Sequence, residues 1–307
     1  VLGIGDDAAA WQPSRSHLSV ITSDALVDGV HFASGSMPAA AAGHRAMAAN
    51  LSDIAAMGAR PVLVTVALGV APGTAQDWIL ECYRGMSALA AAHGARIAGG
   101  DIVSSPALTL ALTVVGEVSR SRLKRRDGGR PGDIVAVTGP LGASRAGLEV
   151  LRRSPPGLAT EVGEAALRAF ERPEPRVREG RWLAASAHVH AMMDSSDGLS
   201  TDLTRLAAAS GGGATVDDVP IHALAETVAR AAGDDPASYA LDGGEDFELI
   251  VAVAPRAFGH LAAAYRTRFG RPLLAIGRLE REAGLRLRPA GGDERELVAA
   301  GWDHLKA

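Results

Sequence analysis

Two series of alternating strand-like and helix-like runs, parted by the basic, glycine-rich stretch SRSRLKRRDGGRPGD (119–133), constrain this chain more than any other feature. In the first series LSVITSD reads as a strand ending on an acid. Pro38 opens a helix to about Met57, and residues 61–70 form a strand. AQDWILECYRGMSALAAAHG is an amphipathic helix stopped by Gly94, and ARIAGGD and ALTLALTVVGEV follow as strands. The second series opens with IVAVTGPLGASRAGLEVL, a strand, a turn and a helix, and continues with a helix between the proline breaks of PPGLATEVGEAALRAFERPEP. Strands at 189–193, 214–217, 247–253 and 273–277 then alternate with helices at 200–210, 222–232 and 256–269. This pattern predicts an α/β fold, α+β in its two-domain arrangement, with domains 1–119 and 120–307. The arginines of the dividing run read equally well as a solvated linker.

Composition narrows the classes. A chain of 307 residues, 47% hydrophobic, has ample material for a core. Lys and Arg number 31 against 35 Asp and Glu, a net charge of −4 that argues against a nucleic-acid coat. PVLVTVALGV and ALTLALTVVG are about half as long as a membrane helix needs, so no membrane partner is expected. Cys82 is the only cysteine, which rules out an internal disulfide and any zinc site built on several cysteines. A reduced, cytoplasmic protein is the expectation. The chain opens in a loop without an initiator Met, which points to residues upstream.

One pattern recurs: an acid beside glycine or at a strand end. It supplies Asp6 and Asp7 in GIGDD, Asp24 in VITSD, Asp101 in RIAGGD, Asp194 and Asp197 in MMDSSDG, and Asp242, Glu245 and Asp246 in LDGGEDFEL. Ligands of α/β folds bind at strand ends, where glycine admits the ligand to the backbone. No Lys or Arg stands close in sequence to Asp194 and Asp197. Single acids of this kind cap helices or make turns, but five such sites together call for a divalent cation. Asp53 lies in the small, apolar run MAANLSDIAAMGA, three residues after Asn50 and on the same helical face. It is a buried ligand or an acid that reaches a nearby backbone N–H. Oxygen donors without a histidine pair favour Mg2+, and with it phosphate chemistry. No P-loop, no kinase-type H-R-D, no G-x-S-x-G and no convincing nucleophile–base pair is present.

In order along nearly the whole chain, GIGDDAA, TSDALVDGVHF, NLSDIAAMGARP, GGD, RPGDIVAVTG, DSSDGL, GGEDFEL and GWDHL resemble the thiamine-monophosphate kinase family of the AIR-synthase-like superfamily. The resemblance implies ATP-dependent phosphorylation of thiamine monophosphate to thiamine diphosphate, with several Mg2+ ions. It implies metal ligands at Asp7, Thr22, Ser23, Asp24, Asp53, Asp101, Asp194 and Asp197. Tyr83, Gly100, Asp101, Arg126 and Ser196 would contact ATP, and His31, Glu245 and Trp302 the thiamine phosphate. It also implies a homodimer whose N-terminal sheets pair into a shared barrel, with nucleotide between the halves of each chain. From the residues alone, His31 reads as well as a loop histidine bonded to backbone, Trp302 as a packing anchor, and Glu245 as a strand cap. Ile102 stands where Thr is common, Ser195 where an apolar residue is, and TSD replaces STD.

The chemistry agrees with the residues. The acceptor is a phosphate monoester, largely dianionic at pH 7, and needs no general base. The difficulty is bringing two polyanions together, which cations relieve. Rival readings are another ATP-dependent enzyme of the superfamily or a nonenzymatic nucleotide sensor. Cys82 in mid-helix and an HLKA terminus argue against the cysteine-using relatives.

Overall fold

The computed structural model describes residue 8, residues 11–288 and residues 291–301. Two sheets carry the chain. The first has four strands, β1 (His17–Val27), β2 (Arg60–Val70), β3 (Arg96–Ser104) and β4 (Thr109–Ser119), in the order β1-β4-β2-β3. β4 is antiparallel to both β1 and β2, and β3 runs parallel to β2. Two helices, α1 (Ala39–Ala56) and α2 (Gln76–Ala92), accompany this sheet.

The second sheet is mixed, with strand order β11-β10-β7-β9-β5-β8-β6. Its strands are β5 (Ile134–Val137), β6 (Val189–Asp194), β7 (Gly213–Val216), β8 (Leu249–Val253), β9 (Leu274–Glu280), β10 (Gly284–Leu287) and β11 (Arg295–Glu296). Between and around them run α3 (Ala143–Arg153), α4 (Thr160–Glu171), α5 (Val177–Ala184), α6 (Leu199–Ala209), α7 (Ala223–Ala232), α8 (Pro236–Asp242) and α9 (Pro255–Phe269). The basic run joins the two parts through a short 3₁₀ turn, Arg126–Gly128.

Helix α1 is the hinge of the architecture. It packs against β1, β2 and β4 of the first sheet and against β6, α4 and α5 of the second part. Its small residues make this possible. A Cβ on Gly43 would lie 2.0 Å from the carbonyl oxygen of Cys82 in α2, and one on Gly180 of α5 would lie 2.3 Å from that of Ala55. Ala42, Ala46, Ala48 and Ala55 are fully buried. Alanine and glycine here bring backbones close, so their burial is contact with neighbouring helices and strands.

Two expectations change. β1 does not end on Asp24; its ladder with β4 continues to Val27 opposite Thr109, so Asp24 lies inside the strand. Asp101 likewise sits within β3 and not at its end. In both cases the neighbouring strand, antiparallel β4 for β1 and parallel β2 for β3, continues past the acid and keeps the backbone paired. The elements α5, α8, β10 and β11 were not expected from the sequence.

Candidate active site

A cavity of about 660 Å3 opens between α1, β1 and the turns after β6 and α8. Alternation along β1 turns Thr22 and Asp24 toward α1 and Ser23 to the other face. Thr22 Oγ1 donates to Asp53, and the backbone N–H of Asp24 donates to Asn50 Oδ1 at 3.2 Å. Thus α1 presents Asn50 and Asp53 to β1 on one face. One residue before Asp53, Ser52 Oγ donates to Asp194 at 2.7 Å and ties α1 to the end of β6.

Asp53 and Asp194 therefore face each other from different halves of the chain. Burial pushes both carboxyls above the usual aspartate range, and the charge of Asp53 adds to the shift at Asp194. The hydroxyls of Thr22 and Ser52 and the charge of Arg126 work in the opposite direction. A buried pair of like charges with so little compensation suits a cation. Among the described residues no three acids or histidines gather around a single ion-sized space.

The turn after β6 is shaped by a residue that the sequence reading did not single out. Asp202, fully buried in α6, accepts from the backbone N–H groups of Ser196, Asp197 and Gly198 at 3.0, 3.0 and 3.1 Å. Burial, with the charge of Asp197, pushes its carboxyl up to about 7. Asp197 is not left without a cation: Arg205, one turn of helix beyond Asp202, pairs with it. The expectation that the two acids of this turn lack a basic neighbour fails there, because α6 brings Arg205 back over the turn.

The acids of LDGGEDFEL are all satisfied within the protein, so they need no cation of their own. Asp242 accepts from Ser200 Oγ at 2.6 Å. Glu245 pairs with Arg45 of α1 at 2.7 Å. Arg45 is fully buried and lies over the Phe170 ring at 4.0 Å. Asp246 accepts from the backbone N–H groups of Gly142 and Ser144 and so caps α3 from outside; burial pushes it up to about 7. Glu248 holds Arg176 and Arg271 at 2.9 and 2.5 Å, and these cations outweigh burial and keep it below the usual range. Glu245 and Phe247 take positive φ angles of 56° and 50°, a strained backbone beside the cavity that Glu245 and Phe247 line.

His31, in the loop after β1, lines the cavity. Its ring Nδ1 accepts from the backbone N–H of Val27 at 3.0 Å. That bond places the proton of the neutral ring on Nε2.

Family relationship follows from the whole chain. The family models for the N-terminal and C-terminal domains of AIR synthase related proteins match residues 5–118 and 130–287. A thiamine-monophosphate kinase of Synechococcus elongatus is 35% identical over 306 residues, 98% of this chain and 91% of that protein. The chain belongs to the thiamine-monophosphate kinase family. The crystal structure of a member from Stenotrophomonas maltophilia superimposes with a TM-score of 0.84 at 36% identity, covering 95% of this chain and 91% of that one. A complex of AaThiL with AMPPCP and TMP superimposes with a TM-score of 0.81 at 28% identity, covering 96% and 90%.

The residues singled out in the sequence of this family member fall into four groups. Asp24, His31, Asp53, Asp194 and Ser196 line the cavity, with Asp197 and Glu245. Thr22 and Arg126 stand beside it, the one bonded to Asp53, the other close enough for its charge to act on Asp53 and Asp194. Ser23, Tyr83, Gly100 and Asp101 are not brought to it. Ser23 Oγ donates to the Leu112 carbonyl at 3.0 Å on the opposite face of the sheet. Tyr83 is half-buried in α2 against the core. Gly100 lies in the same row as Asp24, through Leu112 and Val66, but three strands away at the far edge, roughly 14 Å. Asp7 and Trp302 lie outside the described residues.

Proposed function

We propose that the chain transfers the γ-phosphoryl group of ATP to the phosphate of thiamine monophosphate, giving thiamine diphosphate and ADP. The acidic pair Asp53 and Asp194 at the wall of a cavity large enough for a nucleotide carries this reading. It is supported by kinship with proteins that bear this name and by AaThiL, which binds AMPPCP and TMP. An oxygen of the acceptor's dianionic phosphate attacks the γ-phosphorus in line, and the bond to the β-phosphate oxygen breaks with its electron pair leaving on ADP. No side chain has to remove a proton.

Asp53 and Asp194 would hold one Mg2+, and further ions would be shared with Asp7, Asp24, Asp101 and Asp197. Bound there, the ions would neutralise the phosphate oxygens of both substrates. The chain's own groups orient the reactants. His31 donates from Nε2 to the acceptor's phosphate, and Ser196 and Arg126 meet the nucleotide. Glu245, held by Arg45, takes the acceptor's ring system together with Trp302.

We place the boundary between the two domains at 119/120 and the protein in the cytoplasm. We further propose a homodimer built on the open face of the first sheet. Ile21 and Val103 expose 71% and 51% of their surface there, and such an apolar sheet face asks for a cover. A second copy would also bring Gly100, Asp101 and Tyr83, now remote from the cavity, toward a site.

The test is ADP release in the presence of thiamine, thiamine monophosphate, an aminoimidazole precursor or selenide, each with and without Mg2+. Release that needs thiamine monophosphate and Mg2+ together is expected. Turnover with another acceptor, or nucleotide binding without turnover, would replace this reading.

A further inference from the structure

Residues 298–301 form a strap along the wall of the cavity, exposed from Val298 to Ala300. The strap leaves the second sheet at Leu297, whose N–H donates to the Leu285 carbonyl at 2.8 Å and whose side chain packs on the core. Val298 then exposes 70% of its surface. Ala299, Ala300 and Gly301 form part of the cavity wall that also includes Asp194, Asp197 and Glu245.

Among the described residues two hydrogen bonds hold this backbone down. The N–H of Ala300 donates to Ser200 Oγ at 3.3 Å, and that of Gly301 donates to Thr201 Oγ1 at 3.1 Å. Ser200 Oγ in turn donates to Asp242 Oδ1 at 2.6 Å. Gly301 is pressed against the acidic turn: a Cβ there would lie 2.0 Å from the Asp197 carbonyl oxygen.

A hydroxyl or acid at the N-cap position ordinarily satisfies a helix's first N–H groups. Here the position before α6 is Gly198, with no side-chain cap. Asp202 takes up the N–H groups of the turn, and the hydroxyls of Ser200 and Thr201 are directed to the strap. Two residues of one helix thus join the acidic turn, the Asp242 loop and the strap.

We infer that Ser200 and Thr201 are positioning residues for the acceptor, latching the strap onto the acidic turn so that Ala299, Ala300 and Gly301 are held in place as the acceptor side of the cavity wall. The inference rests on the proposed phosphoryl transfer for the identity of the ligands. The latch itself stands on the geometry.

Thr201→Val removes one bond at nearly constant volume. It should raise the KM for thiamine monophosphate about fivefold, the effect of one ordinary hydrogen bond, while kcat and the KM for ATP stay within twofold. Thr201→Ser should restore the wild-type value, and Thr227→Val, a similar loss on the exposed face of α7, should be silent. Ser200→Ala should act in the same direction as Thr201→Val. Equal rises in both KM values, or failure of the serine variant to rescue, would overturn the inference. Hydrogen exchange at the amides of Ala300 and Gly301 reads the latch without any substrate. Exchange should quicken at both in Thr201→Val and return in Thr201→Ser, and unchanged rates would overturn the latch. If the wild type turns over no thiamine monophosphate yet the amides respond, the functional reading fails and the latch stands.

Discussion

Val27 and His31 exchange two hydrogen bonds: the N–H of His31 donates to the Val27 carbonyl at 3.0 Å, and the N–H of Val27 donates to His31 Nδ1, also at 3.0 Å. The imidazole is thereby fixed in orientation and in tautomer. Its Nδ1 lone pair is used, and Nε2 already carries a proton, so the ring donates and does not accept.

His31→Gln should therefore raise the KM for the acceptor several-fold and leave the pH profile of kcat unchanged. The wild-type kcat should follow the second ionisation of the acceptor phosphate, near pH 6, and stay flat above it. Profiles for both proteins at saturating Mg2+, with rapid quench to establish that chemistry limits the rate, check this. An enzyme ionisation near pH 6.5 that vanishes in the variant would identify His31 as a base.

Asp53→Asn keeps the shape of the side chain and its contact with Thr22 but removes the charge. Turnover should fall at least about 100-fold, a loss of about 3 kcal/mol of transition-state stabilisation, while the melting temperature holds or rises because a desolvated charge has gone. Steady-state kinetics up to high Mg2+ and thermal unfolding on the same samples decide it. Near-normal activity in the folded variant would remove Asp53 from the metal site.

The pair Arg45 and Glu245 separates structure from recognition. Arg45→Met strands a carboxylate and empties a buried guanidinium site, and should cost about 3 kcal/mol of stability. Glu245→Gln retains a hydrogen bond to Arg45 at a smaller stability cost, and its main effect should be on the KM for the acceptor. Urea unfolding and kinetics on both variants test the division. Equal losses of stability would mean that Glu245 serves only the fold.

Stability should fall with rising pH. Burial raises Asp202 and Asp246 to about 7 from an ordinary 3.8. The native state thus binds more protons than the unfolded chain between those values. The stabilisation from these two groups is complete below pH 4, is lost as pH climbs through 7, and is flat beyond. Unfolding without divalent cations across pH 5–8.5 should show the decline. Asp246→Asn should flatten it, and Mg2+ should protect most at the alkaline end, where Asp53 and Asp194 are charged.

Most of the long elements were legible because their apolar periods are long. Helix α5 was not, since its buried Val177, Leu183 and Ala184 occupy only eight residues broken by Gly180. The four-residue β10 buries only Leu285 and Leu287, too few to register as alternation. The acids were legible as a set, since glycine and strand ends flank them. Their partners were not: Glu245 meets Arg45 two hundred residues away, in a helix where one arginine among alanines reads as solvated. Arg205 returns to Asp197 only once α6 has formed. The two-residue period of β1 did hold the signal that Thr22 and Asp24 share a face which Ser23 leaves.

Helix α1 carries Arg45 toward the Glu245 loop and Asp53 toward the acid pair, eight residues apart and so about 12 Å along one rigid rod. The spacing between the two ends of the cavity is thus measured out by helical pitch. Loops elsewhere in the chain can lengthen at little cost, but one residue inserted between these two positions would turn one anchor about 100° from the other. Within α1, then, side chains can drift over evolutionary time while residue count cannot.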